Sequence, residues 1–240
     1  MVKTQSMTMK FYSAWYCPFA QRAWLALLVK KMPFEYIEID PYLKTSRWME
    51  ISRNSGQVPV ITAPNRHSVI DSTRIIEFVD QIQPSVDSLF SADAFIHAEQ
   101  KYWIDHINQQ IIPYFYRYLK FSDATTQTAK DKELMLQGLL KFAQSLDKHG
   151  PFFNGENISA VDIALIPFAY RIDLLLQHYR DFKLPQDSAV WQRYLHWYKA
   201  VIETPAFLQS TVAQENYQHR LIDFYLPYSR GGGQADVTKL

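Results

Sequence analysis

The single cysteine of the 240-residue chain, Cys17, lies where a helix is predicted to begin. Pro18 follows it, and because proline is favoured at the first position of a helix, Cys17 is predicted to be the N-cap. There, unpaired N–H groups and the positive end of the helix dipole stabilise a thiolate, the nucleophilic form of cysteine. Cys17 is therefore a candidate catalytic nucleophile, although a lone cysteine is also often a buried structural residue.

Two residue pairs further along the chain could hold a ligand near that thiol. Val58-Pro59 begins a predicted strand, where proline indicates an edge position or a cis peptide bond. A cis-proline would leave the main-chain groups of Val58 able to pair with an extended peptide. Asp71-Ser72 opens a predicted helix with Ser72 as its N-cap, and such a helix start suits a carboxylate. Each pair alone fits an ordinary strand start or helix cap, but with Cys17 they predict a groove for an anionic thiol peptide.

The elements that must position these residues form an α/β pattern over residues 1–83, followed by helices. The alternation of apolar residues and the turn residues between them predict a small mixed sheet. The predicted strands are 9–13, 34–40, 58–62 and 68–70, and the predicted helices are 18–30 and 72–83, with a further helix near 46–51. Residues 84–92 are predicted to be a linker.

From residue 93 to residue 228 the pattern is helical, which predicts a separate all-α domain. Ser159 and Asp162 have the spacing of a capping box. Thr204-Pro205 is typical of another helix start. Pro113 is predicted to kink the helical segment 93–118. The glycine-rich tail, 229–240, is predicted to be flexible.

Composition limits the partners and the compartment. Lys plus Arg total 25 and Asp plus Glu total 24, so nothing indicates the concentrated basic surface of a nucleic-acid-binding protein. No apolar stretch is long enough to span a membrane, and the N-terminus lacks a secretory signal. A single cysteine excludes an intrachain disulfide, which favours a reducing compartment and predicts a cytoplasmic protein. The seven histidines lack metal-ligand spacing, so no metal site is predicted.

Four ordered segments give the chain a family resemblance: 16–22 (YCPFAQR), 58–61 (VPVI), 71–72 (DS) and 159–167 (SAVDIALIP). Together they resemble the cysteine-type glutathione transferases, most closely the omega and lambda classes. The resemblance covers nearly the whole chain and implies a thioredoxin-like N-terminal domain followed by an all-helical domain.

The resemblance also implies roles for individual residues. Cys17 would form or attack a mixed disulfide with glutathione, and Val58 would pair its main chain with the cysteinyl part of glutathione. The remaining implied glutathione contacts are a cis Pro59, Asp71 and Ser72 at the γ-glutamyl end, Lys44 near the glycyl carboxylate, and Phe19 beside the cysteine.

Two departures from the family pattern affect this expected site. Asp71 replaces the usual Glu or Gln, so its side chain is one methylene shorter. The residues 54–57 (NSGQ) replace the usual Asn-Pro-x-Gly-x, so the loop before Val58 is expected to be built differently. For the acceptor pocket, the candidates are Trp15, Trp103 and Phe115, although aromatic rings of this kind also serve as core or interdomain packing.

The function that this resemblance implies is that of a thiol transferase or deglutathionylating reductase, with dehydroascorbate-reductase-like activity as a variant. Glutathione and a small electrophilic or disulfide substrate are the expected partners, and a homodimer is compatible with the family. Three alternatives remain at this point. They are a non-catalytic interaction module with the same fold, a relative of the chloride intracellular channel proteins, and a Cys/His hydrolase, whose minimal signature is one cysteine with distant histidines.

Overall fold

The computed structural model of the protein describes residues 8–64, 66–84, 88–120, 126–211 and 214–233. By its internal contacts the chain divides into two units, Met1–Asp87 and Ser88–Leu240. Residues 85–87 of the predicted linker and 234–240 of the predicted flexible tail lie outside the described residues.

The first unit is built on a four-stranded mixed sheet with the order β2-β1-β3-β4. Strand β1 is parallel to β2, and β3 is antiparallel to both β1 and β4. The strands are β1 (Met9–Ser13), β2 (Phe34–Glu38), β3 (Val60–Thr62) and β4 (Val69–Ile70), and the helices are α1 (Pro18–Val29), α2 (Ser46–Ile51) and α3 (Ser72–Ile82). The expected thioredoxin-like architecture is confirmed. β2 ends two residues earlier than predicted, because its parallel partner β1 ends at Ser13, opposite Glu38.

The strand directions bring the chemically interesting segments to one end of the strands, which is called the sheet edge below. Since β1 and β4 are each antiparallel to β3, they run in the same direction, and α1 and α3 begin directly after them. Val58, which precedes β3, lies at that same edge because β3 runs the opposite way. The topology therefore places Cys17, Val58 and Asp71 at one end of the sheet. At the other end of α1 and α3, the buried ion pair Lys30 Nζ–Asp80 Oδ1, at 2.9 Å, joins the last turns of the two helices.

The second unit is helical, as predicted. Its helices are α4 (Ala94–His106), α5 (Ile112–Lys120), α6 (Thr126–Gln144), α7 (Ala160–Arg180), α8 (Ala189–Ile202), α9 (Pro205–Ser210) and α10 (Tyr217–Ser229), and a π-helical segment, Ile107–Ile111, joins α4 to α5. The capping box at α7 is present, since Asp162 Oδ2 accepts hydrogen bonds from Ser159 N–H and Ser159 Oγ at 2.8 and 2.7 Å. Thr204 caps α9, as predicted.

The irregularity expected at Pro113 is a π-helical segment that ends just before it. Ile112 N–H donates to Ile107 O, five residues back. A proline has no N–H to donate to the carbonyl four residues earlier, and a widened turn removes the need for that bond. Gly138 of α6 lies against this segment, where a Cβ atom would overlap the carbonyl oxygen of Gln110. The absence of a side chain therefore lets α6 approach the π-helical segment.

Candidate active site

Cys17 is the N-cap residue of α1, as the sequence predicts. Its backbone is extended, with φ −78° and ψ 116°, and Pro18 occupies the first helical position. Cys17 N–H donates to Ala14 O at 2.8 Å, and its carbonyl accepts from Gln21 N–H at 2.9 Å. The residue is half-buried. The side chain thus lies at a helix start, where the dipole and N–H groups favour negative charge.

Val58 and Cys17 belong to the same apolar cluster at the sheet edge. Val58 is one of its buried members, with Tyr12 and Trp48 among the others, and Cys17 packs against the cluster. The Val58-Pro59 peptide bond is cis. Within the described residues, the N–H and C=O of Val58 make no main-chain hydrogen bond. An extended peptide could therefore pair with Val58 beside the cysteine.

The loop before Val58 is held by side chains instead of by the proline usual in the family pattern. Ser52 is fully buried; its hydroxyl donates to Trp48 O at 2.7 Å and accepts from Gly56 N–H at 2.9 Å. Gly56 has φ +59°, a conformation that favours glycine. The Lys44 ammonium group donates to the Gly56 carbonyl. Lys44 thus lies against the loop that leads to Val58, and Ser52 is a structural residue that the motif comparison missed.

The start of α3 corrects one prediction: the N-cap is Asp71, and Ser72 is the first helical residue. Asp71 has φ 74° and ψ 131°, outside the helical region, so it takes the capping position. Its Oδ1 atom accepts from Thr73 N–H at 3.0 Å and from Arg74 N–H and Nη1 at 3.2 Å each. Ser72 is buried, and within the described residues its N–H and hydroxyl have no hydrogen-bond partner. Both groups of Ser72 remain available to an anion.

Two aromatic residues flank Cys17. Phe19 is 36% exposed, and the guanidinium group of Arg22 lies 5.3 Å from the centre of its ring.

Trp15 is half-buried, and its ring meets the Tyr16 ring edge-on at 5.7 Å. Trp15 N–H donates to Glu38 Oε1 at 3.0 Å. Sequence reasoning missed Glu38, whose only signal was an acidic residue at the end of an alternating strand.

Comparison with known proteins gives a consistent family assignment. Models of the glutathione S-transferase N-terminal and C-terminal domains match residues 11–87 and 125–200. A rice protein (Oryza sativa subsp. japonica), "Probable glutathione S-transferase DHAR1, cytosolic", is 30% identical over 200 residues, 83% of this chain and 86% of its own. "Probable glutathione transferase omega-2" of Caenorhabditis elegans is 28% identical over 241 residues, 96% of this chain and 90% of its own.

This chain belongs to the glutathione S-transferase family. The crystal structure of glutathione transferase Omega 3C from Trametes versicolor matches with a TM-score of 0.77 and 28% identity, covering 88% of this chain and 87% of that one. The predicted resemblance to the omega class is confirmed by these relatives.

In the helical unit of this glutathione S-transferase, the two predicted pocket residues lie in the core. Phe115 has no exposed surface, and Trp103 is 5% exposed. The Trp103 ring packs 5.1 Å from His106 and 5.6 Å from Phe153. This placement favours core packing, the alternative considered for such rings, and leaves Trp15 as the candidate with accessible surface.

Neither a metal-binding cluster nor a membrane-spanning helix is present in the described part of the chain. Over those residues, no group of three or more His, Cys, Asp or Glu side chains is arranged to hold a metal ion. No helix among them is both long and apolar enough to cross a membrane.

Proposed function

We propose that this protein is a glutathione-dependent thiol transferase in which Cys17 is the nucleophile. The Cys17 thiolate attacks the glutathione sulfur of a mixed disulfide between glutathione and an acceptor thiol. A Cys17–glutathione disulfide forms, and the acceptor leaves as a thiolate that takes up a proton. The thiolate of a second glutathione then attacks the bound glutathione sulfur, which gives glutathione disulfide and restores the Cys17 thiolate.

The observation that carries this proposal is the convergence of three groups at one sheet edge. Cys17 packs against the cluster that contains Val58, whose main-chain groups have no main-chain hydrogen-bond partner among the described residues. An extended glutathione paired with Val58 would bring its sulfur to the start of α1. Ser72 N–H and hydroxyl, at the start of α3, would bind the γ-glutamyl carboxylate, with Asp71 close to the α-ammonium group.

Lys44 and Phe19 complete the proposed glutathione site. The Lys44 ammonium group, already bonded to the Gly56 carbonyl, would also attract the glycyl carboxylate. Phe19 follows Pro18 at the first turn of α1 and exposes part of its ring beside the cysteine. Trp15 would contact the acceptor.

The proposed setting follows from the same chemistry. With one cysteine in the chain, an external thiol must resolve the mixed disulfide, and glutathione does so in a reducing compartment such as the cytoplasm. Small disulfides, other electrophiles and dehydroascorbate are the acceptors to be assayed, because all of them react with a thiolate and none requires a metal. A homodimer is compatible with the family, and the mass of the protein in solution distinguishes it from a monomer.

The decisive experiment compares wild type with Cys17→Ser in the reduction of a glutathione mixed disulfide. The hydroxyl is a far weaker nucleophile, so the variant should keep less than about one hundredth of the wild-type rate. Wild-type protein incubated with glutathione disulfide should gain the mass of one glutathionyl group, and the serine variant should gain none. A serine variant with full activity contradicts the mechanism. A wild type that neither binds glutathione nor gains that mass points instead to a non-catalytic module.

A further inference from the structure

The turn that leads from β1 into Cys17 is held by a side chain from another strand. Cys17 N–H bonds to Ala14 O at 2.8 Å, which closes the turn on itself. Trp15 N–H, in the middle of the turn, donates to Glu38 Oε1 at 3.0 Å. The position of the residues before the cysteine thus depends on a carboxylate that is 23 residues distant in sequence.

Glu38 is an exposed residue, and both oxygens of its carboxylate accept hydrogen bonds. Its second oxygen, Oε2, accepts from the Tyr36 hydroxyl at 2.6 Å. The Tyr36 ring packs 5.7 Å from the Phe11 ring and 4.8 Å from the Trp24 ring. Burial and the hydrogen bond to Glu38 raise the pKa of Tyr36 well above its usual value, so the phenol stays protonated and keeps donating.

The strand that carries Glu38 is continuous with the sheet up to this residue. Glu38 is opposite Ser13 in the parallel ladder between β2 and β1, and Ile39 N–H still donates to Ser13 O at 2.7 Å. The carboxylate is therefore held at a strand end and by a packed phenol, which gives the turn a support outside itself. Since a displacement of about 1 Å costs up to about 10²-fold in rate, the precision of this support affects the reaction.

We propose that Glu38 is a positioning residue, which fixes the Trp15–Tyr16 turn and thereby aims the Cys17 sulfur at the bound disulfide. Glu38 acts through the turn and does not take part in bond making or proton transfer. The inference rests on the proposed function of Cys17, so its test includes a measurement that needs no glutathione.

The test uses Glu38→Ala, Glu38→Gln and Tyr36→Phe, with Glu35→Ala as the matched control. Glu35 lies on the same strand, is exposed, and pairs with Lys10 at 3.8 Å. Glu38→Ala should lower kcat about tenfold, the loss expected for one charge-assisted hydrogen bond, while KM for glutathione changes little. Glu38→Gln should recover most of this activity, because its amide oxygen can accept from Trp15 N–H. Tyr36→Phe should have a smaller effect, since the Trp15 bond remains.

Alkylation of Cys17 by iodoacetamide supplies the second measurement, because it reports the accessibility and orientation of the sulfur without glutathione. We expect Glu38→Ala to change the alkylation rate and Glu35→Ala to leave it at the wild-type value. If Glu38→Ala matches Glu35→Ala in both assays while Cys17→Ser is inactive, the positioning role is wrong and the nucleophile stands. If Glu38→Ala does not fold, Glu38→Met takes its place, because methionine keeps the length of the side chain but offers Trp15 N–H no oxygen acceptor. A kcat and an alkylation rate of Glu38→Met equal to those of Glu35→Ala then overturn the inference. If Cys17→Ser is fully active, the proposed function fails first, and the alkylation rates alone decide whether Glu38 acts on Cys17.

Discussion

The helix starts of α7 and α1 use the partial positive charge of a helix N-terminus in opposite ways. At α7, Asp162 has no exposed surface and accepts hydrogen bonds of 2.7–2.8 Å from Phe153 N–H, from Ser159 N–H and hydroxyl, and from Trp197 Nε1. At α1 the N-cap is a half-buried cysteine followed by a proline. At α7 the Asp162 carboxylate is used for hydrogen bonds within the protein, whereas the start of α1 can stabilise a Cys17 thiolate that reacts.

The start of α3 is intermediate between these two. Like Asp162, Asp71 is an aspartate whose carboxylate accepts main-chain hydrogen bonds at a helix start, but it is exposed, and the adjacent Ser72 N–H and hydroxyl have no partner among the described residues. A helix start whose carboxylate is buried and surrounded by donors from the protein is thus structural, whereas one with unpartnered donors at the end of the sheet is a candidate binding site.

The largest expected difference between the two helix starts is in stability, and Asp162→Ala should show it. Four donors to one buried carboxylate lose their acceptor, so the free energy of unfolding should fall by roughly 3 kcal/mol or more. Cys17→Ser, at the other helix start, should change it by no more than about 0.5 kcal/mol. Urea unfolding of both variants measures the difference. Equal losses of stability would show that the two helix starts have the same structural role.

A smaller effect is expected from a matched pair of capping aspartates. Asp71 accepts from two main-chain N–H groups at 3.0 and 3.2 Å, and Asp93, at the start of α4, accepts from two at 2.8 and 3.1 Å. Asp71→Ala and Asp93→Ala should each cost about 1 kcal/mol of stability. Only Asp71→Ala should raise KM for glutathione, by about tenfold, because a charge-assisted contact is lost there. A similar KM in both variants would remove Asp71 from the proposed site.

The smallest effect concerns the pH dependence of the helical unit. His106 is 7% exposed, and its Nε2 lies 2.9 Å from Gly138 O. Burial is the largest cause that lowers the pKa of His106; the Lys141 charge acts in the same direction and the Gly138 hydrogen bond opposes it. As the pH falls, His106 is therefore protonated in the unfolded chain before it is protonated in the folded protein. The stability that the folded protein has above a pH of about 6.5 is lost as the pH falls toward the lower pKa of His106 in the folded state.

Unfolding experiments between neutral and mildly acidic pH test this sign. The wild-type protein should lose stability more steeply in that range than His106→Gln, whose amide can still donate to Gly138 O and does not titrate. If both proteins show the same slope, His106 is not the group responsible.

The N-cap prediction for Cys17 was accurate because it depends on neighbouring residues. The Cys17-Pro18 step and the Ser159–Asp162 spacing are local patterns, and both appear in the structure where predicted. The Asp71-Ser72 step shows the limit of local reasoning. Both residue types favour the N-cap, and the positive φ that selects Asp71 arises at the junction between β4 and the helix.

Other features depend on residues that are distant in the chain, and no local pattern predicts them. Trp103 and Phe115 are aromatic residues on helices, so their type suited a pocket as well as a core, and only the packing of the helical unit shows them buried. Ser52 and Glu38 have ordinary types for a loop and a strand end. Their contacts with Gly56 and Trp15 depend on the fold of the loop and on strand register.

Residue types and their spacing were enough to predict that a single cysteine begins a helix and that two domains of different type follow one another. Those properties follow from side-chain chemistry and backbone preferences within a few residues. The sequence also predicted that Val58 and Ser72 would lie near Cys17, but only the tertiary structure shows that Glu38 reaches the same end of the sheet and how the four residues are brought together. That convergence depends on strand order and direction, because antiparallel β3 brings its own start to the edge where β1, β2 and β4 end.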